Sequence, residues 1–411
     1  MSSAIAETAG AGHARGGELA GALLGALNLA VAFGITWALW LLVLHPNGVL
    51  KLYTPMYGFS LVAVLVAVLV AMARVGEGWP LRASALAPPV RGVVATAIAL
   101  ALTAFIVHGF FWGFLGRFGV TYFSPRAIIA AGGVGAEFFN ARENASTAIV
   151  YFAAAFLWLS LSVSIGFGTW PWQSTPPNVR AFSRLSVVTL LAVVAYAVLF
   201  HPHVTQLFYP AQIMAGAPPW WAALAQTGSA YFNLGWVMTA VAVLVVTEIL
   251  WGGWPWRLLG GDSGPLRGLA ALVGSLAGGV VLFVASLKAM TAFWGEPFQG
   301  GQYTDAPYFR YLHAAEISGF VVLSAFALDT YFGAARGAAG RAIRTAVALG
   351  GAAALHLFYY SSAATRLLGK VPGIAQPEDT SLVWTLLFLA IVLVQRDLFG
   401  GWPLRRGGTA A

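Results

Sequence analysis

The chain reads as a succession of long apolar runs separated by short polar ones. Runs dominated by Leu, Val, Ala and Phe cover roughly residues 19–44, 57–74, 91–115, 146–168, 184–201, 228–251, 267–291, 308–334, 343–362 and 381–399. A helix needs about 20 apolar residues to cross the hydrocarbon core of a bilayer, and each run is close to that length. None alternates apolar and polar positions over about ten residues, as a membrane barrel strand does. The pattern predicts an all-α integral membrane protein of ten transmembrane helices. Residues 18–406 form one transmembrane domain on this reading, with a small, polar, disordered tail at 1–17 and a second tail at 407–411.

Punctuation between the runs adds a repeat. Gly78-Trp79-Pro80-Leu81-Arg82, Thr169-Trp170-Pro171-Trp172-Gln173, Gly253-Trp254-Pro255-Trp256-Arg257 and Gly401-Trp402-Pro403-Leu404-Arg405 each follow an even-numbered run, at Trp spacings of 91, 84 and 148 residues. The last interval is close to two ordinary ones, so a copy is missing near Gly333–Gly337, where the eighth run ends. On the opposite side His45-Pro46 precedes Tyr53-Thr54-Pro55, and His201-Pro202 precedes Phe208-Tyr209-Pro210. Five pseudo-repeated helical hairpins follow, at approximately 19–82, 91–173, 184–257, 267–336 and 343–406. Glycine and proline stop each helix, the indole suits the headgroup level, and arginine anchors the inner face.

Charge sets the orientation. The N-terminus, the even-numbered connections and the C-terminus hold fourteen of the 22 Lys and Arg residues, and the odd-numbered connections hold eight. The positive-inside rule then places both termini in the cytoplasm, with a bacterial inner membrane as the expected location. The formal charge of +8 is spread thinly and forms no patch, which argues against a nucleic-acid partner. Charged residues are only 9% of the chain, too few to cover the surface of a soluble protein of this size. No cysteine is present, so disulfides, thiolate metal sites and cysteine nucleophiles are excluded. Phosphate-binding loops, His-Glu-x-x-His and Gly-x-Ser-x-Gly are absent as well, and nothing points to an enzyme.

Ionisable residues within the runs carry what chemistry remains. Arg74, Arg184, Glu248, Arg267, Arg344, Arg396 and Asp397 lie at run ends, where snorkelling to the interface suffices. The fourth hairpin differs: Lys288 ends the seventh run, and Arg310, His313 and Glu316 follow at three-residue spacing on one face of the eighth. Glu316 sits about 12 Å below the helix start at 1.5 Å per residue, deep enough to require a partner, with Lys288 the nearest candidate. These four residues are read as a structural ion-pair group or as part of a solute or proton path. His313 with Glu316 alone offers a metal only two ligands. His45, His108, His201 and His356 recur toward the outer ends of odd runs, either as interfacial side chains or, in a ring, as ligands to haem or pigment.

Two functions stay open. One is a channel or secondary transporter for a small solute, with polar residues of the fourth hairpin in the pathway. Ten helices in five hairpins resemble the plan of the plant guard-cell anion channel and bacterial tellurite-resistance family, a likeness of architecture that involves no sequence motif. The other is a non-transporting subunit of a membrane complex, with the histidines as candidate ligands to haem, metal or pigment. Its docking surface would include Pro218-Pro219-Trp220-Trp221. Partners on either reading are the lipid bilayer and a possible homo-oligomer or complex partner. Trp251–Trp256 superficially looks like the Trp-rich segment of cytochrome-assembly proteins, but lacks the acidic residue usual in that family and falls on the cytoplasmic side.

Overall fold

The computed structural model describes residues 2–82, 84–118, 121–132, 137–201, 230–261, 263–294, 308–332, 337–369 and 377–402. For 2–20, 55, 88, 121, 230–231, 289–294, 308–313 and 377–381 it describes the backbone alone. Among the described residues the chain is helical and has no strand. The long helices are α1 (Ser2–Leu39), α2 (Pro55–Val70), α3 (Pro88–Ala104), α4 (Phe138–Leu161), α5 (Pro177–Leu199), α6 (Ala230–Val245), α7 (Pro265–Trp294), α8 (Tyr308–Phe332), α9 (Gly337–Tyr359) and α10 (Pro377–Leu393). Nine of them, all but α10, supply candidate spans among the described residues by length and hydropathy, and the protein is a polytopic integral membrane protein whose apolar helices contact lipid. Helix α10 covers the tenth apolar run. Helical backbone also runs through the segment read as an N-terminal tail, since α1 starts at Ser2; its alanines are the best helix formers.

Odd and even helices occupy different layers. Helix α2 packs on α4, α4 on α6, α6 on α8, α8 on α10 and α10 on α2, closing a five-membered ring. Each odd helix lies outside it: α3 against α2 and the end of α10, α5 against α4 and the end of α2, α7 against α6 and the end of α4, α9 against α8 and the end of α6, and α1 against α10 and α8. Burial follows the layers. Between 61% and 78% of each even span is buried, against 22% to 28% of each odd one.

Hydropathy does not separate these layers, because lipid tails are as apolar as a protein core and the drive to pack comes from shape. Small residues help the inner helix α4 to pack closely. On α4, Ala145, Ser146, Ala148, Ala153, Ala154, Ala155 and Ser160 are all buried, allowing close backbone approach. Broad apolar grooves open between outer helices, about 270 Å³ over α2 between α3 and α5, and about 620 Å³ over α8 between α9 and α1.

Four of the inner helices end alike. The last turn of each is a π turn, at Ala71–Val75, Ser162–Gly166, Val246–Leu250 and Val394–Leu398. In each, an N–H just beyond the turn donates to a carbonyl five residues back: Gly76 to Ala71, Phe167 to Ser162, Trp251 to Val246 and Phe399 to Val394. Left-handed residues follow, and then the Trp-Pro pair, with a cis bond at Trp79–Pro80, Trp170–Pro171 and Trp254–Pro255. Trp79, Trp254 and Trp402 are each more than 40% exposed, as headgroup-level indoles would be. The place near Gly333–Gly337 where a copy is expected to be missing lies almost wholly outside the described residues.

In three of the four copies the residue after the π turn docks on an outer helix. Phe167 presses on Gly268 of α7, where a Cβ would lie 2.1 Å from the ring, and Phe399 presses on Gly92 of α3, where it would lie 2.6 Å away. Trp251 instead donates its Nε1–H to Thr345 Oγ1 of α9 at 2.7 Å. Glycine at positions 92 and 268 is thus a hole for an aromatic knob.

Candidate functional site

The axis of the ring is the first place to look, because all five inner helices converge on it. A cavity of about 30 Å³ sits there, lined from α2 by Phe59, from α4 by Leu157, from α6 by Met238, from α8 by Gly319 and from α10 by Leu386 and Thr385. Its walls are apolar but for the Thr385 hydroxyl, and the volume accommodates roughly one water. Thr239 Oγ1 and Ser318 Oγ meet at 3.0 Å between α6 and α8.

Glu316 of α8 is 2% exposed. It follows Ala315, which lines the axial cavity, in the sequence. The Tyr360 hydroxyl, just past α9, donates to Glu316 Oε2 at 2.7 Å, and the His356 ring lies 4.7 Å from that of Tyr360. Glu316, Tyr360 and His356 therefore form one cluster between α8 and α9. Lys288 does not join it: its side chain is exposed, and no ion pair links it to Glu316. Lipid- and water-facing position suits a lysine near a helix end, since its long stem carries the ammonium outward. The side chains of Arg310 and His313 lie outside the described residues, as do Glu296 and Asp305 of the connecting loop. The pairing of Glu316 with Tyr360 is a signal the sequence held only as an aromatic near the end of the ninth run.

The four histidines do not converge. His45 stacks edge-on to Trp40 with centroids 6.4 Å apart, His108 Nε2 lies 3.0 Å from Tyr57 Oη, and His201 packs edge-on to Tyr122 at 5.6 Å. His356 is the member of the Glu316 cluster. Each belongs to a different part of the outer layer and each meets an aromatic ring. Burial lowers the pKa of His45, so the neutral ring is favoured there. Among the described residues no group of three His, Cys, Asp or Glu is disposed to hold a metal. The Pro218–Trp221 segment lies outside the described residues.

Ion pairs gather where the even helices end, and here the structure departs from the snorkelling expectation. Arg184, Arg267 and Arg344 are only 2%, 4% and 5% exposed. Arg184 pairs with Glu77 at 2.9 Å, Arg267 with Glu248 at 2.7 Å and Arg344 with Asp329 at 3.2 Å. Arg180 and Arg82 converge on Glu77 too, Arg396 pairs with Asp329 at 2.7 Å, and Arg74 lies 3.8 Å from Asp397. A carboxylate at the end of an inner helix thus receives the arginine that begins an outer one. Snorkelling fails as a description because the protein itself supplies the counter-charge within the first turns of the outer helices. Sequence reasoning treated these positions one at a time and so missed the pairs.

Compared with known proteins, the chain matches no family, no curated protein and no solved structure.

Proposed function

We propose that the protein is a channel or secondary transporter for a small solute, with its path along the axis of the five-helix ring. The observation that carries this reading is the axial cavity, to which every inner helix contributes a wall. A ring of helices around one axis serves no obvious packing purpose that an ordinary bundle would not, and an apolar constriction is a recognised way to close a pore by excluding water. On this reading the structure is the closed form. The five hairpins are repeats of one unit, ten helices span the membrane, and both termini face the cytoplasm of a bacterial inner membrane. The fourth hairpin supplies the polar residues, Glu316 beside the path and Lys288, Arg310 and His313 toward one mouth, because α8 is the inner helix with a carboxylate at depth.

The test is permeability. Purified protein is reconstituted into liposomes and assayed by stopped-flow light scattering with urea, glycerol, formate and nitrate, and by conductance in planar bilayers. Phe59→Ala and Leu157→Ala each widen the constriction and are expected to raise flux of at least one solute severalfold over the parent protein. Permeability equal to that of empty liposomes for the parent and both variants would overturn the reading.

A further inference from the structure

At the end of the molecule opposite the Trp-Pro pairs, a cavity of about 360 Å³ opens between the π-helical continuation of α3 (Phe105–Phe114), the short helix Pro125–Ala131 and the first turns of α4. Its walls include His108, Trp112, Ser124, Arg126, Phe138 and Arg142. That volume is within the range of small-molecule sites, which run from about 300 to 1,000 Å³. Two arginines line it, Arg126 and Arg142, and among the described residues no carboxylate does.

Glu143, next to Arg142 in the sequence, is already committed. Glu143 accepts from the Thr54 hydroxyl, and its Oε2 accepts from the Met56 N–H at 2.7 Å, which secures the first turn of α2. Its Oε1 is 3.8 Å from Arg142 Nε, too far for a hydrogen bond. Arg142 is otherwise held by rings, with its Cζ 5.2 Å from the Tyr57 centroid and 5.9 Å from that of Phe139. Its Nε is shielded and has no acceptor, and the same holds for Trp112 Nε1. Arg126 is exposed and forms no ion pair among the described residues. His108 is otherwise engaged: Nδ1 lies 3.1 Å from the Ala104 carbonyl and Nε2 faces Tyr57 Oη. A guanidinium positioned by aromatic stacking with its donors unspent is set up for an oxyanion, since its planar fork matches phosphate and carboxylate.

The geometry points to an anion site: this cavity binds an organic oxyanion, a phosphate or carboxylate, through Arg126 and Arg142, with Trp112 and Phe138 against its apolar part. The site stands apart from the ring axis and does not depend on whether the protein transports. One chemistry has two sources, a soluble organic anion or the headgroup of an anionic phospholipid.

Full-length protein in an uncharged detergent is titrated in two arms. Phenyl phosphate is followed by calorimetry, and phosphatidylglycerol against phosphatidylcholine by native mass spectrometry. Saturable one-to-one binding is expected in at least one arm, and the arm that binds identifies the source. Arg142→Gln and Arg126→Gln should each weaken it roughly tenfold or more, the scale of losing a charge-assisted contact. Arg126 is exposed, so its variant decides the matter should Arg142→Gln misfold. The exposed Arg117, outside the cavity, is the control, and Arg117→Gln should leave binding unchanged. Absence of binding in both arms overturns the site. So does binding that Arg126→Gln leaves intact, or that Arg117→Gln weakens equally, since the latter would mean diffuse surface charge.

Discussion

Glu77 has a positive φ of 51°, in the left-handed region, at the place where the other copies carry Gly252 and Gly400 at 62° and 60°. A side chain in that conformation costs roughly 1 to 2 kcal/mol, and glycine there would be free of it. Retention of glutamate makes sense through its carboxylate, which gathers Arg82, Arg180 and Arg184. Burial pushes its pKa up, but hydrogen bonds from Arg180 and Arg82 and the charges of Arg180 and Arg184 outweigh it, so the net shift is downward from 4.5. A carboxylate with a lowered folded-state pKa contributes stability above its ordinary pKa and loses it as pH falls through the lowered value. Thermal unfolding in detergent should therefore show the protein weakening on acidification below about pH 4.5. Glu77→Gln should be destabilised by about 1 to 3 kcal/mol at neutral pH, because arginines remain buried without their partner, and its stability should vary less across the acid window. A variant as acid-sensitive as its parent would show that Glu77 is not the titrating group. Glu316 admits a parallel experiment: Tyr360→Phe removes the hydroxyl donor and should cost about 1 to 3 kcal/mol in the same assay, whereas Lys288→Met should cost nothing measurable.

Helix ends are the unit in which this fold is written. A π turn, one or two left-handed residues and Trp-Pro turn the chain back at one face, and in three copies the residue after the π turn locks onto an outer helix. Gly268→Leu should lower stability by about 1 to 3 kcal/mol through overpacking against Phe167, and adding Phe167→Ala should recover part of that loss. Unchanged thermal stability of Gly268→Leu would mean that the knob and hole are slack. At this scale the sequence was legible where a signal was local. Apolar run lengths located the long helices, and Gly-Trp-Pro located their ends, because both are read along the chain. The π turns were not legible, since Ala71–Val75 and Val394–Leu398 share no residue pattern that distinguishes them from α-helix. Nor were the pairs Arg184–Glu77 and Arg344–Asp329, whose partners belong to different helices.

For the molecule as a whole, the layer of each helix was hidden in the sequence, because hydropathy is blind to the difference between lipid and core. Glu316 was legible as a buried carboxylate from its depth in the eighth run, while its tyrosine partner follows a helix, α9, whose position only packing decides. Orientation in the membrane is checked by reporter fusions: sites after Arg82, Gln173 and Arg257 should report cytoplasm, and sites at Asn47, Gly216 and Gln302 the opposite side. Reversal at two of these would break the five-hairpin plan. If the ring axis is the path proposed above, the narrow cavity at Phe59, Leu157 and Met238 has one more consequence, for the cell rather than the solute. Protons cross membranes along continuous chains of water, and a gap with room for about one molecule between apolar walls interrupts any such chain. A closed path of this kind would be an electrical insulator, and cells overproducing the protein should hold their membrane potential and pH gradient, as read by potential-sensitive dyes, while cells carrying Phe59→Ala together with Leu157→Ala should lose part of both.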